Sequence, residues 1–330
     1  MLGTFFFILV LNIIFLIFFD KISKKINVFD IPINPLKNHK KKTSAIGGLL
    51  FLTNLICYYV LNNFRIDNNY LSFKENLSII IFIILFFFIG LYDDKFKIKA
   101  STKLILSIVI TLIFLLINEN FIITKLKFSF LNSYIDLKNI KIVFTMLCFI
   151  LLINACNMFD GINLQFGFYI LILSIVLFSK IVISGLFLTI IISCLFFLFL
   201  NYKNKLFIGN NGTLFIGALF SILFIYYYNF SQQVKTADEI FLYMSIVGFD
   251  FFRVSFTRLI NGKNIFKGDK NHIHHLLIQK HSLIASTLLI QSVIIIPIIY
   301  ACLTNKYLYA CFVSLILYIS LFFYCKKINS

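Results

Sequence analysis

The residues able to do chemistry in this chain gather in a few polar segments, each beside a long apolar run. Asn154-Ala155-Cys156-Asn157-Met158-Phe159-Asp160-Gly161-Ile162-Asn163 follows the apolar stretch Ile142 to Ile153. A carboxylate and three carboxamides where a membrane helix leaves lipid are costly to place, which makes a functional role the default reading. The alternative is an interfacial loop that caps the helix with Asn and Asp. Gly90-Leu91-Tyr92-Asp93-Asp94-Lys95 closes another apolar run. Adjacent carboxylates repel and need a cation, a metal or a basic neighbour, and oxygen-rich clusters beside phosphates commonly hold Mg²⁺. Lys95, Lys97 and Lys99 are the partners expected if the pair sits in a solvated turn.

Ile208-Gly209-Asn210-Asn211-Gly212-Thr213 opens a further apolar run. Glycines around polar residues at a helix start leave N–H groups to receive an anion such as phosphate; an ordinary N-cap by Asn211 or Thr213 is the competing expectation. Gly268-Asp269-Lys270-Asn271-His272-Ile273-His274-His275 carries three of the five histidines. These suit metal binding, general acid catalysis or diphosphate binding as imidazolium. Asp250 and Arg253, one turn apart, either pair with each other or line a common cavity. Lys37, His39, Lys40, Lys41 and Lys42 precede Gly47-Gly48. Such a basic run is an orientation signal or an anionic-lipid contact, and beside Gly-Gly at a helix mouth it can reach the phosphate of a lipid.

The elements that must position these segments are membrane helices. Hydrophobic residues make up 60% of the chain and charged residues 13%, more apolar surface than a soluble domain could bury. Apolar runs centred near residues 12, 54, 84, 110, 148, 172, 191, 220, 247, 292 and 315 predict an all-α, polytopic membrane protein of about eleven transmembrane helices. Several runs reach only 15 to 17 residues before a charge. The stretch Thr4 to Phe19 lacks a basic n-region and a small-residue cleavage site, so it reads as a retained span. The seven cysteines never form Cys-x-x-Cys and read as packing residues.

With alternating loops, one side holds residues 21–45, 92–103, 156–165, 202–211, 253–282 and the C-terminal tail. That side carries 21 of the 30 Lys and Arg residues and all five histidines. It is therefore expected to be cytoplasmic, with the N-terminus outside and the C-terminus inside. The whole of 1–330 reads as a single transmembrane domain whose active-site loops are those cytoplasmic ones.

In their order along the chain, these segments resemble the polyprenyl-phosphate N-acetylhexosamine-1-phosphate transferases (glycosyltransferase family 4). That family includes phospho-N-acetylmuramoyl-pentapeptide transferase and the enzymes that start O-antigen, capsule and teichoic acid linkage synthesis. The most specific pieces are Asn154-x-x-Asn157-x-x-Asp160-Gly161 and Asp269-x-Asn271-His272-x-His274-His275. The resemblance covers Asp30 to His275. It implies transfer of a sugar 1-phosphate from a UDP-sugar to undecaprenyl phosphate, with release of UMP and start of a cell-surface glycan such as lipopolysaccharide. It also implies a bacterial inner-membrane location in a lipid bilayer and Mg²⁺, with Mn²⁺ as a substitute. A homodimer is admissible and no nucleic acid is involved.

On that resemblance Asp93, Asp94, Asp160 and His272 are the catalytic candidates. Lys37, His39, Asn154, His274 and His275 are substrate-binding candidates, joined on their own spacing and charge by Asp250 and Arg253. Asn157 and Asn210 are metal candidates, with Asp93 and Asp94 as further ones. The family pattern has Asp where this chain has Asn210 and Asn163, and proline where it has Ala45. A carboxamide keeps a carbonyl oxygen for Mg²⁺ but not the charge. The alternative reading is a weakly active homologue that binds polyprenyl phosphate as a scaffold for glycan assembly. A transporter would place its polar residues near the midplane of broken, repeated helices, whereas here they sit at helix ends.

Overall fold

The structure, a computed structural model, describes residues 2–32, 42–65, 71–181, 185–230, 233–262 and 270–329. Helices account for most of it, because in lipid every backbone N–H and C=O must be satisfied within its own segment. The helices are α1 (Leu2–Ile26), α2 (Gly47–Leu61), α3 (Phe73–Phe96), α4 (Ala100–Ile117), α5 (Lys141–Phe159), α6 (Gln165–Lys180), α7 (Gly185–Tyr202), α8 (Gly209–Asn229), α9 (Ala237–Ile260), α10 (Ile273–Ile278), α11 (Leu283–Thr304) and α12 (Tyr307–Asn329). Local chemistry sets some of these ends. Ser72 and Glu75 form a capping box that starts α3, and Lys97, in the left-handed region at φ 55°, ends it. Ser282 caps α11, and Asn305 closes it at φ 57°.

All eleven expected centres fall in helices, but length separates them into two groups. Among the described residues, nine helices are long and apolar enough to cross a membrane, while Gly47–Leu61 and Gln165–Lys180 are shorter. With 15 and 16 residues these two rise about 22–24 Å, short of a ~30 Å hydrocarbon core. Among the described residues the expected set of about eleven thus comprises nine helices of spanning length and two shorter apolar ones.

α8 is the axis of the molecule. Every residue from Asn211 to Tyr227 is buried, enclosed chiefly by α3, α5 and α2. α1, α4 and α12 form the periphery and expose Phe6, Ile17, Leu116, Ile316 and Phe323, as lipid-facing surfaces do. Within the apolar interior Asn12 and Asn54 exchange two hydrogen bonds, 2.9 and 3.0 Å, that tie α1 to α2.

Two small sheets were not foreshadowed by the all-α reading. β1 (Phe29–Asp30) pairs antiparallel with β2 (Thr43–Ser44), with Phe29 opposite Ser44 and Asp30 opposite Thr43; Ser44 also bridges to Leu206. β3 (Lys125–Lys127) pairs antiparallel with β4 (Tyr134–Asp136). The turn between them is held by Asp238 at the start of α9, which accepts from Ser129 N at 2.9 Å and from Ser129 Oγ. Nearby, Lys180 at the end of α6 is ion-paired with the fully buried Glu239. Strands of two or three residues carry too little alternation to be legible as a pattern.

Candidate functional site

A cavity of about 480 Å³ opens at the end of the bundle where α3 and α5 finish and α8 begins. It is lined by Asp94 and Lys97 from the end of α3, and by Asn157 and Asp160 to Asn163 from the end of α5. Asn201, Asn204 and Phe207 to Asn210 come from the α7–α8 connection. Asp30, Ala45, His275, Ile278 and Leu283 complete it, with Phe29.

Asp94 anchors the cavity wall. Its carboxylate accepts from Asn210 N (2.9 Å), Asn211 N (2.9 Å) and Asn211 Nδ2 (2.6 Å). The free N–H groups expected to receive a substrate phosphate at the start of α8 thus hold a protein carboxylate. The physical reason is the same attraction of an anion to a helix N-terminus, satisfied from within. Neither expected capping side chain caps α8: its N-cap is Ile208, without a side-chain bond. Thr213 Oγ1 instead donates to Asn157 Oδ1 at 2.7 Å, and Asn211 Nδ2 also donates to Ala45 O at 2.6 Å.

Gly47-Gly48, expected to leave room for a lipid phosphate, opens onto this same turn of α8. A Cβ on Gly48 would lie 2.3 Å from Asn211 Oδ1 and 2.5 Å from Gly212 N. The space is filled by the Asn211 side chain and the Gly212 backbone.

The adjacent carboxylates part company. Asp93 is buried and paired with Lys103 at 3.0 Å, and it does not reach the cavity lining. Lys103, on α4, was not among the expected partners Lys95, Lys97 and Lys99. It lies ten residues away, beyond the reach of a local spacing rule.

Asp160 follows the last turn of α5. Burial, together with the nearby Asp94 carboxylate, pushes its carboxyl up to about 7. Asn163 Nδ2 donates to Asn204 Oδ1 and to Asn201 O at 3.5 Å, two acceptors that a carboxylate would repel. The buried Asn201 is the pin of this region: its Oδ1 accepts from Leu164 N at 2.6 Å and its Nδ2 donates to Leu206 O at 2.7 Å. Neither Asn201 nor Asn204 carried a sequence signal, since each reads as one Asn in an Asn-rich chain. Asp30 reaches the cavity through β1, a placement that only the strand pairing reveals.

Five other site candidates, Asn154, Asp250, Arg253, His272 and His274, stand behind the lining. Asn154 donates to Ile150 O within its own helix at 2.8 Å. Asp250 is buried and bonded to Arg253 NH2 (2.7 Å) and His272 Nδ1 (2.7 Å), so of the two alternatives for Asp250 and Arg253 the structure realises the pair. Among the three histidines of the α10 segment, His275 alone lines the cavity. His274 is fully buried, and burial with the neighbouring His275 and His272 holds it well below the usual histidine range. A Cβ on Gly161 would lie 1.8 Å from His274 Nε2, so glycine is what admits that ring beneath the Asp160 loop. Lys37, His39 and Asp269 lie outside the described residues.

Among the described residues no three His, Cys, Asp or Glu side chains converge as a metal cluster. Three carboxylates, Asp30, Asp94 and Asp160, share the cavity with the carboxamides of Asn157 and Asn210. All are oxygen donors. This set fits a hard cation such as Mg²⁺, which keeps several waters or phosphate oxygens as its remaining ligands.

Residues 76–228 match the family model described as glycosyl transferase family 4. A Bacillus subtilis protein named probable undecaprenyl-phosphate N-acetylglucosaminyl 1-phosphate transferase is 27% identical over 270 residues, 78% of this chain and 71% of the relative. The Thermotoga maritima undecaprenyl-phosphate alpha-N-acetylglucosaminyl 1-phosphate transferase is 27% identical over 263 residues, 78% of this chain and 75% of the relative. The phospho-N-acetylmuramoyl-pentapeptide-transferase of Petrotoga mobilis is 31% identical over 229 residues, 64% of this chain and 68% of the relative.

Proposed function

The chain belongs to glycosyl transferase family 4, and from that premise we propose how its cavity carries out the transfer. It is a membrane enzyme that transfers a sugar 1-phosphate to undecaprenyl phosphate. The donor is a UDP-sugar of the N-acetylhexosamine type. An oxygen of the lipid phosphate attacks the phosphorus that bears the sugar; the new P–O bond forms as the bridge to UMP breaks, and UMP leaves. The observation that carries this reading is the convergence of Asp94, Asp160, Asn157, Asn210, Lys97 and His275 on one cavity.

Both substrates are anionic, so transfer is chiefly a matter of positioning and of offsetting charge. Asp94 and Asp160, with the carboxamide oxygens of Asn157 and Asn210, are the residues that would hold Mg²⁺. When bound, the ion supplies positive charge against the phosphates. Lys97 adds a cation at the same mouth, and His275 offers a donor to a phosphate oxygen. Asp94, gripped by the first turn of α8, fixes the wall on which the substrates meet. The lipid phosphate has a second pKa near 6, so no strong base is required. The cavity end is cytoplasmic, where a nucleotide-sugar is found, and the membrane is the bacterial inner one.

The test is an assay of purified protein with undecaprenyl phosphate, Mg²⁺ and a panel of UDP-N-acetylhexosamines, scoring lipid-linked product and UMP together. Equimolar product and UMP, both abolished by EDTA and restored by Mg²⁺, are expected. No product with any donor, beside an active relative, sinks the reading. An inert parent that Asn210→Asp revives would point to a scaffold.

A further inference from the structure

Behind the cavity, a run of polar side chains connects the last helix to the histidines. Tyr318, in the middle of α12 and 4% exposed, donates its hydroxyl to Asp250 Oδ1 at 3.0 Å. The same hydroxyl accepts from Arg253 Nε at 2.7 Å. Asp250 Oδ1 also accepts from Arg253 NH2 (2.7 Å) and Ile273 N (3.2 Å), and Asp250 Oδ2 is bonded to His272 Nδ1 at 2.7 Å. Arg253 NH2 donates in turn to Asn271 O at 2.6 Å. The guanidinium lies 4.6 Å from the ring of Phe322, one turn further along α12. Asp250 and Arg253 therefore grip three consecutive residues, Asn271 to Ile273, while α12 holds Asp250 and Arg253.

From this grip the histidines continue toward the cavity. The His272 ring stacks on His274 with centroids 5.4 Å apart and planes within 3°. His274 meets His275 edge-on at 4.3 Å, and His275 faces the cavity. We propose that Tyr318 is a positioning residue for the transfer: through Asp250 and Arg253 it sets the His272–His275 segment so that His275 is presented to the substrates. The proposal rests on reading the cavity as the transferase site. It also assigns a role in the reaction to the last helix, which lies outside the matched residues 76–228.

The physical basis is the cost of leaving buried charged groups short of partners. Without the hydroxyl, Asp250 Oδ1 loses a donor and Arg253 Nε loses its acceptor, and both side chains can turn to seek others. The ring packs on Phe249 at 5.7 Å and would stay in Tyr318→Phe, so that variant removes the polar link while keeping the volume.

Two readouts test the proposal: steady-state kinetics, and the rates of diethylpyrocarbonate modification of each histidine followed by peptide mass spectrometry. Tyr318→Phe is expected to lower kcat about ten-fold, the scale of one lost hydrogen bond to a charged group. The donor KM should stay within about two-fold, since the hydroxyl does not line the cavity. Modification of His272 and His275 should quicken, and adding Tyr318→Phe to Arg253→Gln should cost little more than Arg253→Gln alone. Wild-type kcat, additive losses, or unchanged histidine rates would each overturn the proposal. If the wild-type protein turns over no donor at all, the functional reading falls by itself. The histidine rates then still decide whether Tyr318 sets the segment.

Discussion

On α3, Asp94 uses its carboxylate to hold the first turn of α8, while Asp93 faces away to Lys103. The two substitutions to Asn should therefore separate. Asp94→Asn is expected to cut turnover by at least about 100-fold, as loss of a preorganised electrostatic group does. It should also lower unfolding stability by about 1.5–3 kcal/mol, because charge-assisted bonds to N–H groups are lost. Asp93→Asn should keep turnover within about ten-fold of wild type, since its paired carboxylate lies off the cavity; detergent-solubilised protein can be assayed for both. His274 gives a pH dependence. Its folded-state pKa is depressed by burial, so as pH falls through about 6.5 the unfolded chain takes up a proton that the folded one refuses. Stability contributed by the neutral ring is thus present above that pH and is lost below it. Thermal unfolding at pH 7.5 and 5.5 should show a drop that His274→Gln reduces; an equal drop in both proteins would place the acid sensitivity elsewhere.

At the level of elements, α8 is positioned by polar contacts at its start and by apolar packing along its length. The short α2 is fixed partly by the Asn12–Asn54 exchange. Asn12→Leu should cost about 1–3 kcal/mol by leaving the buried Asn54 Oδ1 without its donor, although Asn54 Nδ2 keeps Leu50 O. The double variant Asn12→Leu/Asn54→Leu should recover most of that loss, because neither carboxamide is then buried alone. A thermal-shift double-mutant cycle measures this, and equal losses in single and double variants would show that the pair is not a coupled unit. Gly161→Ala should abolish turnover through the clash with His274, whereas Gly248→Ala, which meets nothing within 4 Å, should be silent. Helix existence was legible from apolar runs alone. Which helix sits at the centre was not, since α8 is no more apolar than its neighbours and is central only through the company it keeps.

At the level of the whole molecule, the cavity and the Lys180–Glu239 pair mark opposite ends of the bundle. The charge bias predicts the sidedness: the cavity end should be labelled from the cytoplasm. A membrane-impermeant maleimide should reach Asn204→Cys only in inverted vesicles and Lys306→Cys only in intact cells. Labelling of Asn204→Cys in intact cells would reverse the orientation. The basic residues behind this expectation are spread over several loops.

What the sequence determined by itself was the membrane class, the places of the helices and the polar segments that meet at one end. Hydropathy and charge act on each segment separately, through lipid and water, and need no partner to be read. Only the tertiary structure decided how similar residues divide the work: Asp94 at the wall and Asp93 behind it, His275 in the cavity and His274 beneath Gly161, Tyr318 joined to Asp250. Those roles depend on which donor or acceptor comes within about 3 Å. For Asp94 that partner is Asn211, 117 residues along the chain, and no local spacing encodes it.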